Sequence, residues 1–126
     1  MDTIVVGIDF SKSSLTAMKV SIDIAARANA DLHIVWVETV EMPYDKAEEK
    51  LKEYANKAKE KLNNSEAYYH ILPKGKVYLI LNKAIKEFDA DLLVVGTHGN
   101  SGYDEKFAGA NTYKTITAAH CPVLTI

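Results

Sequence analysis

Five short apolar runs recur along the chain, separated by stretches whose apolar residues return at helical spacing. The runs are Thr3-Ile4-Val5-Val6-Gly7-Ile8, Leu32 to Val37, Ala67 to Leu72, Leu92 to Val95 and Val123 to Ile126. They are continuous rather than alternating, the pattern of strands buried on both faces. After the first run, Leu15, Met18, Ile22 and Ala25/Ala26 mark a helix that extends to about Ala28. Asp45 to Leu62 carries one apolar stripe (Ala47, Leu51, Tyr54/Ala55, Ala58, Leu62) and a solvated Glu/Lys face, with Pro43 just ahead of it. Val77, Ile80/Leu81, Ala84/Ile85 and Phe88 mark a third helix, and Asn111 to Ala119 a fourth. The order β-α-β-α-β-α-β-loop-α-β predicts an α/β fold, a five-stranded parallel open sheet with helices on both faces.

Length and composition narrow the function classes. The 126 residues make one domain, residues 1–126, with no linker or repeat. A net charge of −2 and the absence of any polybasic run argue against nucleic acid and membrane surfaces as partners. The single cysteine, Cys121, cannot staple the chain or build a cysteine-rich zinc site, which fits a reducing compartment, the cytoplasm. The stretch Met1-Asp2-Thr3-Ile4 has neither the basic start nor the apolar length of a signal or a membrane span.

Chemistry gathers at two strand ends. The fourth strand runs into Gly96-Thr97-His98-Gly99, and after nine residues comes Gly109-Ala110-Asn111-Thr112 at the start of a helix. Glycine permits close backbone approach, and free N–H groups at a helix start attract anions. A buried strand, a glycine loop and a helix start together suit a phosphate cradle, although a turn-rich loop has the same composition. No Gly-Lys-Ser/Thr follows, so this is not a Walker loop. The dinucleotide fingerprint would stand after the first strand, which instead ends Gly7-Ile8-Asp9-Phe10-Ser11. In open parallel sheets ligands bind beyond the carboxyl ends of strands where the order reverses, so the Asp9 and Gly96 ends are expected side by side. Asp9 can accept from ribose hydroxyls or an adenine amine, or it can cap the following helix.

These motifs resemble the universal stress protein family, in its small single-domain form. The likeness rests on Gly96-x-x-Gly99-(nine)-Gly109, on Asp9, on Asp91 to Gly99 (DLLVVGTHG) and on the closing Cys121-Pro122-Val123-Leu124. The resemblance covers the whole chain and implies a Rossmann-like, adenine nucleotide alpha hydrolase-like sheet of order 3-2-1-4-5. It implies homodimers through the last strand, and ATP bound between strands one and four with Mg2+ or Mn2+ at the phosphates. By matched position, Gly7, Ile8 and Asp9 would line the adenosine side, and the strand-two backbone at Trp36 would meet the adenine. Gly96, Thr97 and Gly99 would approach ribose and phosphates, and Gly109, Ala110, Asn111 and Thr112 would hold the phosphate chain. Ala110 departs from the family's usual Ser/Thr. One lost hydroxyl bond to a charged acceptor costs roughly 1–3 kcal/mol, or about tenfold to a hundredfold in affinity. Asp104-Glu105 places two carboxylates in a loop that is often basic or neutral in the family.

The remaining candidates have structural readings. His98 is expected to hydrogen-bond the loop to itself, with a phosphate contact as the alternative. Trp36 is expected in the core, with stacking on a base as the alternative. Tyr68-Tyr69 are expected to pack on a strand, and Cys121 to be a small buried residue. His33, His70 and His120 are dispersed along the chain and suggest no metal site. The only arginine, Arg27, lies inside the first helix, and no general base stands near the loop, so any hydrolysis would be slow. No catalytic residue is therefore assigned. The expected function is a nucleotide-binding, ATP-responsive regulatory protein of the stress response. The alternative is a nucleotide-free dimeric module acting only through protein contacts. An adenylating enzyme would need Ser-Gly-Gly after the first strand, where Ile8-Asp9-Phe10-Ser11 stands.

Overall fold

The computed structural model describes residues 1–97, 114, 115 and 119–126. Five strands form one parallel sheet: β1 (Thr3–Ile8), β2 (Asp31–Val37), β3 (Ala67–Leu72), β4 (Leu92–Val95) and β5 (Val123–Thr125). Their order is β3-β2-β1-β4-β5, as the resemblance implied. Three helices connect the first four strands: α1 (Lys12–Ala28), α2 (Tyr44–Lys61) and α3 (Val77–Phe88). The expected fourth helix lies mostly outside the described residues, with Lys114 and Thr115 helical.

Each strand alternates its side chains between two apolar layers, as the pleat requires. On one face Ile4, Val6, Ile8, Leu32, Ile34, Trp36 and Ala67 pack with the buried stripes of α1 and α2. On the other, Val5, Val35, Val37, Leu93 and Val95 meet Leu81 and Ile85 of α3. This two-sided burial is why the strands read as unbroken apolar runs. Each large side chain fully removed from water contributes roughly 1.5–3 kcal/mol. One-residue slips are thereby penalised, because a slip exchanges the layers.

The helices stop where their sequences say. Asn29 and Asp89 both adopt left-handed backbone after α1 and α3, with φ of 54° and 52°. Asn and Asp are among the few non-glycine residues that take this region at low cost. At the amino ends of the strands two carboxylates serve as clamps. Asp91 Oδ2 accepts from the backbone N–H groups of Asp2 (2.7 Å) and Thr3 (3.1 Å). Asp31 Oδ1 accepts from that of Glu66 (2.9 Å). Those two bonds hold the Asp91 carboxyl below the usual carboxylate range.

Candidate functional site at the β1 and β4 ends

β1 has β2 on one side and β4 on the other, so the strand order reverses at the β1–β4 pair. Gly7 stands opposite Val95 in the register. The ends that carry Asp9 and Gly96 are therefore neighbours, as expected for a ligand crevice in such a sheet.

The chain leaves β1 through a tight turn. Phe10 has a φ of 66°, a region that a bulky residue occupies at a cost of roughly 1–2 kcal/mol. Two features hold it there. Asp9 Oδ1 accepts from the Ser11 N–H at 2.9 Å, and the Phe10 ring packs near Trp36 (centroids 5.8 Å) and Tyr54 (6.3 Å). Lys50 Nζ lies 5.7 Å from the ring centroid. The cap of α1 is Ser11, whose Oγ accepts from the Ser14 N–H at 3.2 Å. Asp9 is thus a turn residue rather than the helix cap. It is exposed, and its Oδ2 has no hydrogen bond among the described residues.

Gly96 owes its identity to packing. A Cβ there would stand 2.5 Å from Ser13 Oγ, 2.7 Å from the Ser13 carbonyl carbon and 2.8 Å from the Ser14 nitrogen. The end of β4 lies directly on the first turn of α1, and only glycine allows that approach. Its φ is not positive, so the requirement is space and not backbone conformation. Thr97 closes the other side: its N–H (2.9 Å) and its hydroxyl (2.8 Å) both donate to the Ile126 carbonyl.

Of the residues expected to contact nucleotide, Ile8, Asp9, Gly96 and Thr97 come together at this end. Gly7 lies inside β1, two residues before Asp9. Its missing side chain would point at Leu81 and Val95, 3.5 Å away and on the α3 face. Trp36 is 2% exposed and sealed in the α1/α2 layer. The Leu32 N–H donates to Glu66 O and the Glu38 N–H to Leu72 O. That alternation commits the Trp36 peptide groups to β3 and turns those of Val37 toward the end of β1, where Ile8 pairs with Trp36 in the register. The strand-two backbone turned toward the end of β1 is therefore that of Val37. Gly99, Gly109, Ala110, Asn111 and Thr112 lie outside the described residues, as do His98, Asp104 and Glu105.

The histidines are the main correction to the sequence reading. His33 and His70 are not dispersed in space: Nδ1 of His33 and Nε2 of His70 are 2.8 Å apart, sharing one hydrogen bond. Their rings are 20° from coplanar, and Phe88 lies against both, with centroids 4.3 Å and 4.5 Å away. Burial lowers both imidazole pKa values. The neighbouring His70 lowers that of His33 further, while Asp31 opposes the shift at His33 and Glu87 opposes it at His70. The pair could have been found by placing the second and third strands in register, since both histidines fall on the same face. Among the described residues no three His, Cys, Asp or Glu side chains converge as a metal site. Tyr68 packs as expected, stacked on His33 with centroids 5.0 Å apart, while remaining 43% exposed. Cys121 is half-buried, and burial followed by the Asp91 charge pushes its thiol up, away from nucleophile behaviour.

Comparison with known proteins agrees with this geometry. A family model described as the universal stress protein family matches residues 1–126. A universal stress protein of Methanocaldococcus jannaschii is 28% identical over 140 residues, covering 98% of this chain and 80% of that protein. One of Mycobacterium tuberculosis is 31% identical over 131 residues, and there the chain spans only 47% of the relative's length. Among solved structures, a universal stress protein in complex with cAMP superposes with a TM-score of 0.73 at 26% identity, over 99% of this chain and 96% of that one. The solved relatives share the adenine nucleotide alpha hydrolase-like fold.

Proposed function

Because this chain belongs to the universal stress protein family, we propose that it is a regulatory protein that binds an adenine nucleotide, ATP in the first instance, at the β1–β4 crevice. The observation that carries the reading is the juxtaposition of Asp9 and Gly96. Asp9 spends one carboxylate oxygen on its own turn and presents the other to solvent. Gly96 brings β4 against the first turn of α1 without a side chain in the way. A carboxylate oxygen there can accept from ribose hydroxyls or the adenine amine, and the Val37 backbone faces the same end. A relative bound to cAMP supports an adenosine ligand in this fold.

The described residues fit the adenosine half of such a ligand. The phosphate half would fall to Gly99, Gly109, Ala110, Asn111 and Thr112. A divalent cation, Mg2+ or Mn2+, would arrive as the counter-ion of the phosphates and neutralise their charge. We assign no catalytic residue. The one arginine lies in the last turn of α1, remote in sequence from the loop, so the protein would hold nucleotide and hydrolyse it slowly if at all. Residues 1–126 would act as one cytoplasmic domain, paired with a second copy through the short margin strand β5.

Calorimetric titration with ATP, ADP, AMP and cAMP tests the proposal. Saturating ligand at about a hundred times Kd should add about 2.7 kcal/mol to stability. Asp9→Ala should weaken binding by roughly tenfold to a hundredfold, as for loss of a hydrogen bond to a charged group. No heat and no thermal shift with any of the four would reject nucleotide binding. That result would favour the second reading, a nucleotide-free module working by protein contacts. One observation already favours that reading: both Thr97 donors are spent on Ile126.

A further inference from the structure

The opposite margin of the sheet carries a surface that nucleotide binding does not use. Among the described residues β3 has a partner strand on one side only. The bonds from Leu32 N–H to Glu66 O and from Glu38 N–H to Leu72 O set the alternation. They direct the peptide groups of Tyr68, His70 and Leu72 toward β2, and those of Ala67, Tyr69 and Ile71 away from the sheet. The strand itself, Ala67-Tyr68-Tyr69-His70-Ile71-Leu72, contains no Lys, Asp, Glu, Pro or Gly. A margin strand without such residues is a ready template for another strand, and proteins ordinarily guard against that. Beside it runs a groove of about 360 Å³ whose other wall is α2, with Lys52, Asn56 and Lys59 along the rim.

The charge of that rim selects the occupant. Lys52 and Lys59 are exposed, and among the described residues neither is within ion-pair distance of a carboxylate; the single described ion pair is Lys57–Glu53. Glu48, on the same helix, accepts from the Tyr69 hydroxyl at 3.4 Å. A second copy of this chain, joined β3 to β3 about a twofold axis, would bring two such lysine rims together, and like charges there disfavour it. Lys52 and Lys59 are seven residues apart, about 10 Å along the helix. Side chains two and four apart on an extended strand, roughly 7 and 13 Å, bracket that distance.

We propose that the β3 margin is a docking site for an extended acidic peptide of a partner protein. The peptide adds a strand to Ala67, Tyr69 and Ile71 and sets carboxylates against Lys52 and Lys59. Backbone pairing supplies the affinity and the lysines the selectivity. The site is separate from the β1–β4 crevice, so it stands whether or not nucleotide binds there.

The test uses a fluorescein-labelled octapeptide of alternating Glu and Val, read by anisotropy and by amide NMR shifts on the full chain. Saturable binding below about 1 mM is expected, with shifts centred on Ala67, Tyr69 and Ile71. The Lys/Val counterpart should not bind. The exposed double variant Lys52→Glu, Lys59→Glu should bind roughly tenfold more weakly, two attractions having become two repulsions. Of two peptides N-methylated on one or the other alternate set, one should lose binding, which tests the backbone pairing without altering the protein. The proposal is overturned if the Glu/Val peptide fails to bind, or if the double variant binds it equally. Equal binding by both methylated peptides, shifts centred on Asp9, or concentration-dependent self-association through β3 would also overturn it.

Discussion

Replacing Gly96 by alanine should destabilise the protein, and the geometry gives the size of the effect. The new methyl would stand 2.5 Å, 2.7 Å and 2.8 Å from Ser13 Oγ, Ser13 C and Ser14 N, roughly 1 Å inside ordinary carbon contact. The Ser13 hydroxyl can rotate away. The two backbone atoms cannot, because the first turn of α1 is fixed by the Ser14 N–H to Ser11 Oγ bond and the Ser14 Oγ–H to Ser11 O bond. Overpacking of this kind costs about 1–3 kcal/mol, and straining the serine cap adds up to about 1. The lower chain entropy of alanine returns about 0.5–1. The net loss centres on about 2 kcal/mol, roughly 8 °C in Tm for a domain of this size. Gly7→Ala is the internal control. Its methyl would meet Leu81 and Val95 at 3.5–3.6 Å, ordinary contact, so its effect should stay within about 1 kcal/mol of zero. Urea unfolding followed by the fluorescence of Trp36, the one tryptophan, measures both variants. Equal midpoints would refute the steric argument and show that β4 can lift off α1 freely. A Gly96→Ala protein of unchanged stability that lost nucleotide would assign the glycine to the ligand instead.

Two further outcomes follow from the same structure. His33 and His70 have lowered pKa values in the folded state, so near and below pH 6.5 the unfolded chain takes up more protons than the folded one. Stability is therefore complete above that pH and falls as the solution is acidified through it. Replacing both residues by phenylalanine should flatten that part of a urea-midpoint series between pH 8 and pH 5, and an unchanged slope would show that the pair does not cause it. Phe10 supplies the second. Phe10→Ala loses the packing on Trp36 and Tyr54, whereas Phe10→Gly loses the same packing and also relieves the φ of 66°. The glycine variant should be the more stable of the two by about 1 kcal/mol in chemical denaturation. The opposite order would mean the left-handed turn costs nothing.

The strands and the first three helices were legible because both faces of the sheet are buried and the period of the apolar pattern switches cleanly between strand and helix. β2 begins at Asp31, one residue ahead of the expected Leu32, because Asp31 itself pairs with Thr3. Sheet order was not a matter of periodicity; it came with the family resemblance. At the site, the neighbourhood of Asp9 and Gly96 was readable from topology, but their roles were not. Whether an aspartate caps a helix or closes the turn before it depends on a shift of two residues, and Ser11 takes the cap. The steric need for Gly96 comes from α1, more than eighty residues earlier in the chain. The His33–His70 bond depends on strand register, which a one-dimensional spacing of 37 residues conceals.

The Asp91 clamp bears on how the protein is made. Its carboxylate holds the backbone of Asp2, 89 residues away, and the strand that follows Asp2 is the middle of the sheet. During synthesis β1, β2 and β3 are complete well before β4 leaves the ribosome. They can form a half-sheet whose β1 edge is bare until residue 91 arrives. Contacts of such long sequence separation form late and slowly, and an open central edge in a partly made chain invites mispairing. The nascent protein is therefore most vulnerable between completion of β3 and release of β4, an interval in which the α3 segment is the next part of the chain to emerge.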